Sequence, residues 1–456
     1  MGLEQFLVLA MFASFMGLLL AGFPVAWSLA GIGFLFALIG HGLVEFFDAD
    51  LWFSWAGTIG ALDRRIYGIV ANELMVALPL FIFMGIMLDR SGIAERLVHS
   101  LVRVLGGLRG GYAITVVIVG VLLAASTGIV GASVVLLGML SLGPMMRAKY
   151  DKCLAVGTAC SVGTLGILVP PSIMLVLMAD RLGTPEASVG RLFMAALVPG
   201  VMLGLMYIAY ILIAAYLKKD LAPAPEDRER LDAAAFLGVA KAVLPPLALI
   251  LAVLGSIFTG FATTTEASAV GALGAMLLAL TNRRLTLHTL REALYQTSRT
   301  TAFIFAIFIG ATVFAAVLRG LGGDDVVRLA LTGLPFDETG IVLTILLVVF
   351  LLGFFLDWVE ITLIILPLVA PVVMSLGVDP LWFAMLFAIC LQTSFLTPPV
   401  GFALFYIKGV CPPGITTRHI YLGVAPFVAI QLLGLLLVFL YAPLATWLPS
   451  EIYGGQ

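Results

Sequence analysis

Apolar residues run along this chain in long blocks, separated by short polar segments. A helix needs about 20 apolar residues to cross the ~30 Å hydrocarbon core of a bilayer. Ten blocks reach that length, near residues 3–21, 23–40, 69–88, 153–179, 192–217, 241–259, 263–281, 301–318, 380–408 and 420–447. Two further blocks, 112–146 and 340–377, are about 35 residues long and broken in the middle. The first break is Thr127–Gly131; the second holds Gly353, Asp357 and Glu360. Each broken block predicts either two short spans or one re-entrant hairpin. Residues 41–68, with Trp52 and Trp55, are too polar to cross and read as an amphipathic segment at the outer interface. Segment 218–241, with Pro223, Pro225 and a run of charges, reads as a solvated cytoplasmic linker. Residues 1–21 carry Glu4 and no basic stretch, which predicts a retained first span rather than a cleaved signal peptide.

Charge orients these blocks. Segments 89–110, 147–152, 218–241, 282–299 and 408–418 hold 18 of the 24 Lys and Arg residues. The positive-inside rule places them in the cytoplasm and leaves Arg64, Arg65, Arg181, Arg191, Arg319 and Arg328 outside. Block 112–146 is flanked by two basic segments, so it enters and leaves on the cytoplasmic side. Block 340–377 follows the acidic Asp324, Asp325, Asp337 and Glu338, so it enters and leaves on the outer side. Both blocks therefore fit hairpins, or paired full spans, opening to opposite faces. Both termini then lie outside.

Composition closes off other classes. Hydrophobic residues make up 62% of the 456 and charged residues 11%, against roughly 45–50% and ~25% in soluble domains. The 48 glycines suit close helix packing in lipid. The fold class is an all-α polytopic membrane protein. A net charge of −2 leaves no footprint for nucleic acid. Cys153, Cys160, Cys390 and Cys411 form no CxxC pair, and His41, His99, His288 and His419 form no metal motif. No cofactor and no transition metal is expected. An intramembrane enzyme would need a nucleophile–base pair, a metal cluster or paired acids facing one site. The one close acid pair, Asp357 and Glu360, lies at a presumed hairpin tip.

A repeat links the two broken blocks. At an offset of 228 residues Asp151 matches Asp379 and Pro170-Pro171 matches Pro398-Pro399. Each half runs hairpin, Asp, then a span interrupted by Pro-Pro, and the opposite entry of the hairpins makes the repeat inverted. Inverted repeats with broken helices are a transporter device. Adjacent prolines remove two backbone donors, and the carbonyls so released are tolerated only inside protein or along a wet cavity. Gly163–Ser172 and Thr393–Gly401 combine glycines, hydroxyls and prolines, a set suited to Na⁺ and, at half-helix N-termini, to a carboxylate.

At these residues the chain resembles the large membrane subunit of tripartite ATP-independent periplasmic (TRAP) transporters, the DctM-like family. The resemblance runs nearly end to end. It includes Gly22-Phe23-Pro24-Val25-Ala26, Leu78–Gly85, Gly107-Leu108-Arg109-Gly110-Gly111, Tyr150-Asp151-Lys152, Gly163–Ser172 and Thr397–Gly401. It implies an elevator-type Na⁺ symporter for organic acids in a bacterial or archaeal cytoplasmic membrane. A small membrane subunit on a separate chain would brace it, and a periplasmic binding protein would deliver substrate. A self-sufficient Na⁺-dicarboxylate elevator carrier is the alternative.

By the same resemblance, Ser126, Thr127, Gly128, Gly131 and Ser133 of the first hairpin would form one Na⁺ site with Gly163, Thr164, Gly166 and Pro170. Many relatives carry a serine pair where this chain has Ile129-Val130, which shifts the expected ligation there toward backbone carbonyls. Gly353, Asp357, Glu360 and Thr362 would form the second site with Thr393, Ser394, Thr397 and Pro398. Pro171, Ser172, Pro399 and Gly401 are the substrate-binding candidates. Asp357 and Glu360 are read either as ion ligands or as caps of a half-helix; Glu73 and Glu266 are read as lying near span ends. The implied organisation is scaffold (1–111), first transport repeat (112–190), scaffold with linker (191–339), second transport repeat (340–410) and a C-terminal span (411–456).

Overall fold

The computed structural model describes residues 2–47, 51, 53–127, 130–224 and 232–454, and the side chains of all of these except 124–127 and 234. The described residues form helices and no strand. In chain order these are α1 (Leu3–Leu20), α2 (Val25–Phe47), α3 (Trp55–Thr58), α4 (Leu62–Val70), α5 (Glu73–Arg90) and α6 (Ile93–Leu105). The first repeat supplies α7 (Gly111–Thr127), α8 (Val130–Arg147), α9 (Lys152–Thr164) and α10 (Ile173–Leu182). Then come α11 (Val189–Leu217), α12 (Ala233–Phe258), α13 (Thr264–Thr281), α14 (Leu287–Gly320) and α15 (Gly323–Thr332). The second repeat supplies α16 (Glu338–Leu352), α17 (Trp358–Glu360), α18 (Leu366–Ser375), α19 (Pro380–Leu396) and α20 (Phe402–Lys408). The chain closes with α21 (Thr417–Leu440) and α22 (Pro443–Tyr453). Among the described residues nine helices are long and apolar enough to cross a membrane.

Two helices depart from the sequence expectation. Helix α2 continues past Gly40 to Phe47, because no proline interrupts His41–Phe47. Helix α14 begins at Leu287, inside the basic segment, and its 34 residues span about 51 Å, more than the hydrocarbon core.

The matched landmarks become matched helix ends. α8 and α17 begin 228 residues apart, at Val130 and Trp358; α8 and α18 end at Arg147 and Ser375; α9 and α19 begin at Lys152 and Pro380. Both Pro-Pro bonds, Pro170-Pro171 and Pro398-Pro399, are cis. The matching extends beyond the residues that carry it in the sequence.

The helices group into two compact units. The first is Met1–Val76 with Arg299–Pro380. In it Phe12 and Phe15 of α1 pack on Phe314 of α14 with ring centroids 5.5 and 5.6 Å apart. The second hairpin also lies here: α16 packs on α18 and on the π turn Ile361–Ile365 that precedes it. Pro367 has no N–H to continue an α-helical ladder, and the turn closes instead with Leu366 N–H donating to the Ile361 carbonyl.

The second unit is Ala77–Ser298 with Leu381–Gln456. The first hairpin begins and ends at one place in this unit. Gly110 N–H donates to the Ala222 carbonyl (3.2 Å) and Asp151 N–H to the neighbouring Leu221 carbonyl (2.9 Å). Both hairpin ends are thus tied to adjacent residues, as the paired basic flanks require. Asp151 then starts α9 by accepting from Cys153 and Leu154 N–H (2.9 and 3.0 Å). α9 and α21 cross on glycines: a Cβ on Gly157 would lie 2.1 Å from the Gly423 carbonyl oxygen.

Candidate functional site

The first break is built by withdrawing helical hydrogen bonds one at a time. α9 tightens into a 3₁₀ turn at Leu165–Ile167, which contains Gly166. Leu168 and Val169 N–H both return to the Leu165 carbonyl, and the two prolines donate nothing. Ser172 opens α10, its Oγ donating to the Ile167 carbonyl at 2.6 Å. The four carbonyls from Leu168 to Pro171 receive no hydrogen bond among the described residues, and all four residues are buried. Buried carbonyls are ordinarily paired. This run is a row of oxygens awaiting a partner that is electropositive.

The hydroxyls beside it point to the same chemistry. Thr164 Oγ1 donates to the Ser161 carbonyl (2.8 Å). At the second break Thr393 Oγ1 donates to Ile389 O (2.7 Å), Ser394 Oγ to Leu391 O (2.9 Å) and Thr397 Oγ1 to Thr393 O (2.7 Å). A hydroxyl has one proton, so each has spent its donor on its own helix and retains only acceptor capacity. Hydroxyl groups so fixed suit a cation.

Within the second unit the first hairpin meets the first break. A Cβ on Gly163 would stand 2.8 Å from Val134 Cα and 2.9 Å from Val134 N, so only glycine lets α8 lie on the end of α9. Ser133, the residue before Val134, is buried. Gly131, in the first turn of α8, lies against the Tyr406 ring of α20 (2.8 Å from a built Cβ). The arm carrying Gly131 and Ser133 thus touches Gly163 and the helix that follows the second break. Gly128 lies outside the described residues, as do the side chains of Ser126 and Thr127; the backbone of both serves as the end of α7.

The second break mirrors the first. α19 ends at Leu396 with Thr397 N–H donating to Ser394 O (3.1 Å), and Pro398-Pro399 follows. Gly401 starts α20 at φ +34, where a Cβ would come 2.9 Å from the Phe395 carbonyl. The Pro399 carbonyl here accepts from Tyr421 Oη (3.0 Å), which leaves it less available than its counterpart Pro171.

In the first unit Gly353 ends α16, and Asp357 caps the next helix by accepting from Trp358 N–H (2.8 Å). Capping therefore employs one Asp357 oxygen. Glu360, 3% exposed, and Thr362, fully buried, each leave an oxygen without a hydrogen-bond partner among the described residues: Oε2 and Oγ1. Glu73 opens α5, and Glu266 closes a capping box with Thr263, so both sit at helix ends. The first unit also holds a cavity of about 350 Å³ lined by Phe12, Phe15, Leu331, Ile345 and Leu368 among others. Its wall is wholly apolar, which makes it no place for a carboxylate.

Sequence reasoning missed a set of polar side chains in the second unit. Tyr207 of α11, Gln392 of α19 and Gln431 of α21 are fully buried, and Gln431 Nε2 donates to Thr164 Oγ1 (3.3 Å). Each stands alone in an apolar helix, so no spacing announces it. The one available signal was an amide or phenol inside a span.

Comparison with known proteins agrees with this architecture. The family model of the tripartite ATP-independent periplasmic transporter, DctM component, matches residues 12–444. A C4-dicarboxylate TRAP transporter large permease protein of Pseudomonas aeruginosa is 32% identical over 86% of this chain and 88% of its own length. A sialic acid TRAP transporter large permease protein of Vibrio cholerae is 28% identical over 97% and 98%. Among solved structures the YdaH transporter of Alcanivorax borkumensis shares the fold, with a TM-score of 0.58 at 14% identity over 84% of this chain and 90% of that one. In the DctM family the large permease works with a small membrane subunit and a periplasmic binding protein. The chain belongs to that family: it is the large permease component, a multi-pass inner-membrane transport protein and not an enzyme, of a tripartite ATP-independent periplasmic transporter.

Proposed function

We propose that this permease imports organic acids by Na⁺ symport, taking substrate from a periplasmic binding protein and moving it by an elevator motion of its two inverted repeats. The observation that carries the reading is the pairing of donor-spent hydroxyls with orphaned carbonyls at the first break. Gly131, Ser133, Gly163, Thr164, Gly166 and Pro170 would hold one Na⁺. Thr393, Ser394, Thr397 and Pro398, with Gly353, Asp357, Glu360 and Thr362 of the second hairpin, would hold another. Pro171, Ser172, Pro399 and Gly401 would receive the substrate carboxylate. Bound Na⁺ supplies positive charge beside a site that otherwise presents only negative oxygen dipoles and the acids Asp357 and Glu360. An anion is repelled there until the charge is balanced, which gives ion-before-substrate order. Relatives named for C4-dicarboxylate and sialic acid support carboxylates as the substrate class.

The test is uptake into proteoliposomes holding both membrane subunits, started by a Na⁺ jump, with a panel of liganded binding proteins. Uptake should require Na⁺ and a cognate binding protein. Equal uptake in choline chloride would refute the coupling, and uptake of free substrate without the binding protein would refute the delivery step.

A further inference from the structure

The mechanism above leaves unused a polar cluster that lies entirely within the second unit. The Tyr207 hydroxyl is flanked by the side chains of Gln392 and Gln431. Gln431 Nε2 reaches Thr164 Oγ1 at 3.3 Å, and Ser161 lies one turn earlier on α9. All five residues are 0% exposed. Yet Tyr207 Oη, Ser161 Oγ, Gln431 Oε1 and both terminal atoms of Gln392 have no hydrogen-bond partner among the described residues. So many orphaned groups would cost as much as a protein's entire stability. Gln392 lies 228 residues after Thr164, so the cluster also joins matching positions of the two repeats.

We infer that this cluster is a binding site for internal water, and that the hydrated network fixes the orientation of Thr164. The chemistry of the orphaned atoms selects the ligand. The Tyr207 and Ser161 O–H groups and the Gln392 amide need acceptors, whereas Gln392 Oε1 and Gln431 Oε1 need donors. A metal ion satisfies only acceptors and would face these donors. Water both donates and accepts, and buried water typically makes about three such bonds. The Gln431 amide is held between the network on its oxygen side and Thr164 on its nitrogen side. It therefore keeps the Thr164 hydroxyl proton directed at the Ser161 carbonyl, with a lone pair free of competition. Tyr207, Gln392 and Gln431 are thus positioning residues for the first ion site, and this second part rests on the Na⁺ reading.

The experiment is cryo-electron microscopy of the complete membrane complex in NaCl and in choline chloride, at a resolution that shows buried solvent. Density bridging Tyr207, Gln392 and Gln431 in both salts is expected. A cluster that is dry where other buried solvent is visible, or density only in NaCl, would overturn the assignment. Gln431→Leu and Tyr207→Phe are then compared with wild type for uptake and for the rise in melting temperature caused by NaCl. Gln431→Leu should raise the Na⁺ concentration for half-maximal uptake by about tenfold with little change in maximal rate, and should shrink the Na⁺-induced thermal shift. Tyr207→Phe should do the same more weakly. Unchanged Na⁺ dependence in Gln431→Leu would overturn the positioning role. Bridging solvent in a wild type that shows no Na⁺ response would sink the ion reading while upholding the hydration site.

Discussion

Gly163→Ala is the sharpest probe of the first ion site, because the space it needs is already taken by backbone. The new Cβ would lie 2.5 Å from Val134 Cγ2, 2.8 Å from its Cα and 2.9 Å from its N. The methyl could be avoided by a rotamer change; the backbone atoms cannot. Carbon atoms rest about 3.5–4.0 Å apart, so α8 must retreat by roughly 0.7–1 Å. Overpacking of this kind costs about 1–3 kcal/mol. The same retreat draws Ser133 away from the break, and displacements near 1 Å can cost on the order of 100-fold where geometry sets the interaction. The variant should therefore fold with a lowered melting temperature and show a Na⁺ half-saturation raised at least tenfold in proteoliposome uptake. Gly204→Ala is the control. Its Cβ would meet a single Val121 methyl at 3.1 Å, so it should cost less than about 1 kcal/mol and leave Na⁺ dependence unchanged. If Gly163→Ala kept the wild-type Na⁺ half-saturation and Na⁺-induced thermal shift, the contact between hairpin and break would have no part in ion binding.

Asp151→Ala removes the acceptor of two N–H groups at the start of α9 and should lower stability by about 1 kcal/mol, seen as a lower unfolding midpoint in detergent; Asp151→Asn should retain most of it. Glu360→Gln replaces a buried carboxylate, one of whose oxygens is orphaned, by a neutral isostere. It should raise the melting temperature in Na⁺-free buffer and reduce the Na⁺-induced shift, and a larger Na⁺ shift would contradict its assignment as an ion ligand. Burial pushes the Tyr150 phenol up from near 10 to about 12. A raised folded-state value means the stabilisation is intact below pH 10 and is lost as the pH climbs toward 12. At about 1.4 kcal/mol per unit the loss is about 3 kcal/mol. Tyr150→Phe should flatten that alkaline fall in thermal midpoint, and an identical fall in both proteins would count against the assignment.

The repeat was legible because its markers act locally. Asp at a helix start and Pro-Pro at a helix interruption fix backbone geometry through their own covalent structure, so they carry the same meaning in any context. From Asp151, Asp379 and the two Pro pairs one could place breaks and helix starts, including that of α17 at Trp358. The basic flanks of the first hairpin likewise foretold ends that meet, and Leu221 and Ala222 now join them. Tyr207, Gln392 and Gln431 were invisible for the opposite reason. Each takes its role from neighbours far along the chain, and one polar residue in a run of Leu, Ile and Ala has no periodicity. The extension of α14 back to Leu287 was hidden because hydropathy reports where lipid begins, not where helical hydrogen bonding begins.

The crossing of α9 and α21 has a mechanical consequence. A Cβ on Gly423 would lie 2.2 Å from the Cys153 carbonyl, just as one on Gly157 meets Gly423. Each helix gives up a side chain so that the other's backbone can occupy the space. Sliding either helix by one residue would bring Val156 or Thr158, or Leu422 or Val424, into a gap that accepts no carbon atom. The pair is a keyed joint, with one register and no play along its length. Any working stroke of the second unit must bend at its loops and carry these two helices as a single beam.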